Sequence, residues 1–158
     1  MNEDKIILDA CCGSRMFWFD RHERHTVYMD CRRLDTTLCD GRSLVVDPDV
    51  LGDFRDIPFP DGKFRLVVFD PPNLVNVGDK SWMAQKYGRL SPDTWRDDLR
   101  CGFSECLRVL EPNGILVFKW NEQQIGIGEV VRLAPISPLF GQRSGKTHWL
   151  VFLKEARG

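Results

Sequence analysis

With 158 residues, 42% of them hydrophobic, the chain suits one globular domain with a full core and leaves little room for a second. A net charge of -1 excludes a general basic field for holding nucleic acid, so any such partner must be met by a local patch. No apolar run approaches the length of a membrane span, and the polar, acidic start Met1-Asn2-Glu3-Asp4-Lys5 lacks the basic stretch of a signal peptide, which points to a cytoplasmic address without a membrane partner.

Lys5-Ile6-Ile7-Leu8-Asp9 is a short buried-strand pattern that ends in an acid. Ala10-Cys11-Cys12-Gly13-Ser14 follows at once. Small residues around a glycine let backbone amides approach a ligand, and Asp9 stands either to fix this loop or to accept from a cationic or hydroxylated group. Residues 14–24 carry Met16, Phe17 and Phe19 among polar residues and are read as one or two helical turns. His25-Thr26-Val27-Tyr28-Met29-Asp30 is a second strand ending in an acid. Asp30 lies at the spacing after Asp9, about 20 residues, at which a βαβ unit brings a carboxylate to the hydroxyls of a ribose. Arg32 and Arg33 read as a solvated face. Ser43-Leu44-Val45-Val46-Asp47-Pro48 is read as a third, short edge strand. Gly52-Asp53-Phe54-Arg55-Asp56 then brings to the same edge an acid able to accept from an exocyclic amine, Asp53, beside the ring of Phe54; Asp56 is the competing acid.

A proline-rich loop closed by Asp61-Gly62 delivers the chain to Arg65-Leu66-Val67-Val68-Phe69, a run of the kind buried on both faces of a sheet. Pro71 and Pro72 stop it, since neither can donate to a ladder, and hold Asp70 in one direction at the carboxyl end of a central strand, where open α/β sheets bind ligands. Residues 75–90 have no clear period and read as a functional loop. Ser91-Pro92-Asp93 is a helix start, and Trp95, Leu99, Phe103, Cys106 and Leu110 form one apolar stripe over about five turns. After the turn Glu111-Pro112-Asn113-Gly114, Ile115-Leu116-Val117-Phe118 is another buried strand with Lys119 and Trp120 at its carboxyl end. Residues 127–133 have a weak helical pattern. Pro138-Leu139-Phe140 and the run Thr147 to Leu153 flank a basic loop with Arg143 and Lys146 and read as a hairpin. The fold class expected is α/β: a Rossmann-like, doubly wound, mainly parallel sheet with an antiparallel C-terminal strand.

The cysteines, at 11, 12, 31, 39, 101 and 106, include no Cys-x-x-Cys pair and are expected as reduced, mostly packed thiols rather than zinc ligands. His22 and His25 read as surface residues, so no metal is expected.

In their order, the strand and loop from Asp9 to Ser14, the acid at 30, Gly52-Asp53-Phe54, Asp70-Pro71-Pro72-Asn73 and Leu107-Arg108-Val109-Leu110-Glu111-Pro112-Asn113-Gly114 before a strand resemble class I S-adenosylmethionine-dependent methyltransferases over nearly the whole chain. The Asp-Pro-Pro-x run resembles the amino-methyltransferases that act on exocyclic nitrogens of nucleobases. What the resemblance implies is S-adenosylmethionine as cofactor, with Asp9 and the loop Ala10, Cys11, Cys12, Gly13 and Ser14 facing its methionine part. Asp30 would hold the ribose, Cys31 would lie against adenine, Asp53 would accept from the adenine amine with Phe54 nearby, and Asp70, Pro71, Pro72 and Asn73 would form the transfer site.

Two departures from that pattern stand out. Cys11 and Arg15 occupy places where the family loop has glycines, and Asn73 stands where a stacking aromatic is common; Trp18, Trp82, Tyr87 or Trp120 would have to supply the ring. The expected acceptor is an amino nitrogen, foremost a nucleobase in DNA or RNA met through Arg143 and Lys146, with a small molecule or protein behind it. The competing readings are a nicotinamide-dependent oxidoreductase, against which the missing Gly-x-Gly-x-x-Gly counts, and an inactive binding subunit of the same fold.

Overall fold

The structure is a computed structural model that describes residues 4–78, 84 and 88–156. The apolar runs that end in acids become the middle of a seven-stranded sheet. Its strands are β1 (Ile7–Asp9), β2 (Thr26–Asp30), β5 (Val50–Leu51), β6 (Phe64–Phe69), β7 (Leu110–Asn121), β8 (Phe140–Ser144) and β9 (Thr147–Leu153), in the order β5-β2-β1-β6-β7-β9-β8. Strands β5, β2, β1, β6 and β7 pair in parallel, and β9 runs antiparallel between β7 and β8. The chain therefore builds outward from β1 on one side, returns, and builds outward again from β6. Between the carboxyl ends of β1 and β6 the direction of winding reverses, and such a reversal leaves a crevice.

Helix α1 (Trp95–Val109) connects β6 to β7 in space and turns its stripe inward: Trp95, Leu99, Phe103 and Cys106 are buried. Phe103 packs against Phe69, Phe118 and Phe152, with ring centroids 5.5, 4.7 and 5.9 Å away. The Ser91 carbonyl accepts from the Trp95 N–H at 3.1 Å and its hydroxyl from the Asp93 N–H at 3.3 Å, but residues 92–94 form a turn and the helix itself starts at Trp95 with Thr94 as its N-cap, three residues after the anticipated cap. The helix is about one turn shorter than expected, because it starts only at Trp95 and because Leu110 leaves it in an extended conformation and joins β7. A five-residue helix, α2 (Ile127–Val131), follows β7.

Three sequence expectations are corrected. Residues 14–24 form turns, not helix: Arg15 sits at φ 60°, a left-handed conformation through which a right-handed helix does not propagate. Ser43 to Val46 is a strand (β4, Ser43–Val46), but it pairs antiparallel with β3 (Leu34–Thr37) in a separate hairpin, and the edge of the main sheet is β5. The alternating burial of β4 explains this, since only Leu44 and Val46 point inward, onto a small cluster with Leu34 and Leu38. Of the six cysteines, all free, Cys12 and Cys106 are packed away while Cys31, Cys39 and Cys101 are exposed. Among the described residues no helix is long and apolar enough to cross a membrane, and no group of His, Cys, Asp or Glu is arranged to hold a metal ion.

Candidate functional site

The strand ends converge on a cleft of about 630 Å³, inside the range of roughly 300–1,000 Å³ usual for small-molecule sites. Ala10, Cys11, Cys12, Gly13 and Ser14 form one wall, Asp30, Cys31 and Arg32 with Asp53 and Phe54 the second, and Asp70, Pro71, Pro72 and Asn73 the third. Of the residues expected to hold the cofactor or form the transfer site, all except Asp9 line this one space.

Asp9 lies beneath it. The side chain is fully buried and accepts from the Cys11 N–H at 3.3 Å and the Trp18 indole N–H at 2.8 Å. Of the two roles open for Asp9, the geometry is that of fixing the loop; the expectation that it faces a ligand is corrected. Burial, with the charge of Asp70 adding to it, lifts its carboxyl to about 7 although the indole bond pulls the other way. Gly13, at φ 50°, takes the left-handed turn of the loop, and its N–H is held by Asp30 Oδ2 at 2.8 Å. Cys12 N–H is bonded to the Met29 carbonyl at 2.8 Å, which ties the loop to β2.

Arg15, which stands where the related loop has a glycine, is left-handed all the same. Its guanidinium donates to the carbonyls of Arg21 and Asp47, the latter at 2.8 Å, and lies 3.8 Å from the centre of the Tyr28 ring. Those contacts hold a backbone conformation that costs roughly 1–2 kcal/mol in a residue with a Cβ.

Asp30 is buried at the cleft's edge. Besides Gly13, it accepts from the Arg32 N–H at 3.0 Å, and the Arg32 Nε stands 3.5 Å away. Asp53 faces the cleft and Asp56 does not line it, which decides between those two acids. Asp53 is already bound by Arg55, whose Nε lies 3.0 Å from each carboxylate oxygen and whose other guanidinium nitrogen donates to Oδ2 at 2.6 Å, and these bonds hold its carboxyl below the usual range. Phe54 packs on Phe69 at 5.3 Å, so it joins the cleft to the core.

Asp70 projects from the end of β6, about a quarter exposed, with Lys119 Nζ 3.4 Å from Oδ2. Burial raises its carboxyl to about 6, against the pull of the Lys119 charge and hydrogen bond. The segment after the prolines is tied down by Gln124, whose Oε1 accepts from the N–H groups of Val75 and Asn76 at 2.7 and 3.0 Å. Burial pushes the Cys11 thiol up, and at the exposed Cys31 partial desolvation and the neighbouring Asp30 charge do the same, so neither is a thiolate nucleophile at neutral pH.

The aromatic candidates sort differently from expectation. Trp18 is committed to Asp9, and Trp120 is fully buried with its indole N–H on the Ile125 carbonyl at 2.9 Å. Trp82 and Tyr87 lie outside the described residues. Among the described residues Phe17 lines the cleft besides Phe54, and is set edge-on to Trp149 at 5.3 Å. Lys119 was placed at its strand end by the sequence without a role; its partner is 49 residues away, a pairing that strand order alone could have suggested. At the rim, Asn121 and Thr147 line the cleft beside the hairpin loop, where Arg143 donates to the Gly145 carbonyl at 2.7 Å and lies 3.6 Å from Glu122.

No family model matches the chain, and no curated protein does. Solved structures match in fold. The PH0226 protein of Pyrococcus horikoshii OT3 superposes with a TM-score of 0.62 at 15% identity, over 94% of this chain and 82% of that one. The 1,6-didemethyltoxoflavin-N1-methyltransferase of Burkholderia thailandensis, solved with 1,6-didemethyltoxoflavin and S-adenosylhomocysteine, gives 0.56 at 13% identity over 96% and 71%. A TehB-like SAM-dependent methyltransferase from Corynebacterium glutamicum ATCC 13032 gives 0.55 at 17% identity over 98% and 83%. The chain has the Rossmann-like fold of the class I methyltransferases.

Proposed function

We propose that the cleft binds S-adenosylmethionine and that the protein transfers its methyl group to an amino nitrogen, foremost the exocyclic amine of a nucleobase in DNA or RNA. The observation that carries this reading is the meeting, in one crevice at the winding reversal, of the small-residue loop and Asp30 on one side with Asp70-Pro71-Pro72-Asn73 on the other. The donor set fits the cofactor. Ala10 to Gly13 leave room for close backbone approach, Asp30 offers a carboxylate to ribose hydroxyls, and Phe54 gives an apolar wall near an adenine. Asp53 would have to share its carboxylate with Arg55. When bound, S-adenosylmethionine supplies the methyl group on an electrophilic sulfonium.

The chain's own part is positioning. An aryl amine is a poor nucleophile because its lone pair is delocalised into the ring. Asp70 and the Pro71 carbonyl, accepting its two hydrogens, would draw the nitrogen toward tetrahedral geometry and free the lone pair. As the new N–C bond forms and the methyl's bond to sulfur breaks, which would leave S-adenosylhomocysteine, one N–H proton would pass to the Asp70 carboxylate, which is largely ionised at neutral pH. Arg143 and Lys146 at the rim would meet phosphates.

The test is labelled-methyl transfer to separate pools of DNA, RNA, nucleosides, small amines and protein, with Asp70→Ala beside the wild type and digestion to find the modified atom. Label on an exocyclic nucleobase nitrogen, lost with Asp70→Ala, is the expected result. Label on carbon or oxygen, or transfer unchanged by Asp70→Ala, would overturn it.

A further inference from the structure

Among the described residues Lys119 is the cation whose charge meets Asp70, and nothing in the transfer chemistry above uses it. It ends the inner part of β7, opposite Trp149 of β9, and both Lys119 and Asp70 line the cleft. The ammonium lies 5.4 Å from the centre of the Phe17 ring and 5.7 Å from that of Trp149. The two rings shield the ammonium on one side while its side chain stays 29% exposed, which favours a hydrogen bond donated into the cleft.

Resting on the transfer reaction proposed above, we infer that Asp70 and Lys119 read the acceptor at two points, selecting an amine whose neighbouring ring nitrogen carries a lone pair. That arrangement is the amidine edge shared by adenine and cytosine. Asp70 Oδ2 and Lys119 Nζ present an acceptor and a donor 3.4 Å apart. The two nitrogens of an amidine lie roughly 2.3 Å apart from ordinary C–N lengths. Two hydrogen bonds of normal length fit between these pairs with each tilted by only about 10° from parallel. The amine donates to Asp70, and the ring nitrogen accepts from Lys119.

The Watson–Crick edge of guanine sets an N–H beside its amine, donor against donor, and is rejected; the lone pair on guanine's other side, at N3, lies against the glycosidic bond, where the sugar crowds an approach by Lys119. Alkyl ammonium and guanidinium groups are rejected as well: Lys119 cancels the attraction that an isolated carboxylate would exert, and repels a second cation.

The experiment uses mixed-sequence DNA and RNA oligonucleotides in which adenine is replaced by 1-deazaadenine, or cytosine by 3-deazacytosine, so that one ring nitrogen becomes C–H while the amine stays. Oligonucleotides with 7-deazaadenine keep the amidine edge and serve as the control. Wild-type protein should methylate the parent and the control alike. It should lose roughly ten- to a hundredfold on the substrate whose amidine nitrogen is gone, the worth of a hydrogen bond from a charged donor. Lys119→Met should lower transfer to the parent and erase that discrimination, and Lys119→Arg should restore part of it.

Equal transfer by wild-type protein to parent and deaza substrates overturns the inference and leaves the methyltransferase reading intact. Better transfer to spermidine or a lysine peptide than to any oligonucleotide overturns the inference together with the choice of nucleobase. Failure to transfer to any pool, without S-adenosylmethionine binding, overturns the underlying reading and the inference with it. The wild-type comparison decides the matter even where a Lys119 variant folds poorly.

Discussion

Asp9 makes the stability of the protein depend on pH in a way that one substitution isolates. Its carboxyl titrates at about 7 in the folded protein against 3.8 when unperturbed, chiefly because it is fully buried. Between those values the folded protein holds a proton that the unfolded chain has lost, so Asp9 makes stability fall as pH rises. The two pKa values predict a loss of about 2–3 kcal/mol between pH 5 and pH 8 from this group alone. Asp9→Asn keeps the volume, removes the titration, and gives up the bond from the Trp18 indole, which costs about 1–2 kcal/mol at every pH. Urea unfolding of both proteins at pH 5, 6.5 and 8 measures the difference, and groups common to both cancel. The substituted protein should be the less stable at pH 5 and gain on the wild type by about 2–3 kcal/mol at pH 8. A difference that does not change with pH would refute the argument, because Asp9 would then be ionised throughout.

Arg15→Gly relieves the left-handed strain but loses two carbonyl contacts and the Tyr28 ring, and should cost about 2 kcal/mol net in urea unfolding; an unchanged or raised midpoint would contradict that balance. Gly102→Ala puts a Cβ 2.5 Å from Phe69 and 2.7 Å from Phe54, which overpacks the helix against the cleft wall. It should cost about 1–3 kcal/mol by thermal unfolding and weaken cofactor binding through the displaced Phe54 ring. Methyl transfer should rise with pH as Asp70 ionises near 6 and level off above about 7, since the carboxylate is the active form; a rate that is flat from pH 5 to 8 would remove Asp70 from the proton's path. Gln124→Ala frees the backbone of Val75 and Asn76 and should lower kcat more than cofactor affinity, measured by initial rates and calorimetry in parallel.

Where an element is buried on both faces, its residues announce it. The runs ending at Asp9, Asp30 and Phe69 are apolar because helix and loop cover both sides of a parallel sheet, and each ends on a residue still paired in the ladder. Asp30 and Asp70, at the ends of β2 and β6, fall in one crevice with Asp9 beneath it, because strand order, not sequence distance, sets what is near. The β3–β4 hairpin was illegible for the opposite reason: Leu34-Asp35-Thr36-Thr37 is polar on its outer face, and its pairing with β4 depends on a cluster too small to leave a periodic mark. Arg15 looked like a defect in a glycine loop. Only the position of the Tyr28 ring and the Asp47 carbonyl reveals the anchor that lets a side chain stand there. Asp53 was legible as a cleft acid, but its capture by Arg55 two residues on depends on a turn that composition does not specify.

The central claim is that the crevice between the loop after β1 and the end of β6 holds S-adenosylmethionine with Asp30 on its ribose. Calorimetric titration of wild-type and Asp30→Ala protein with S-adenosylmethionine, and of the wild type with NAD, tests it most directly. The account predicts one S-adenosylmethionine per chain, binding weakened at least tenfold by Asp30→Ala in a protein that still unfolds cooperatively, and no heat from NAD. NAD bound in its place, or S-adenosylmethionine bound equally by both proteins, would contradict it.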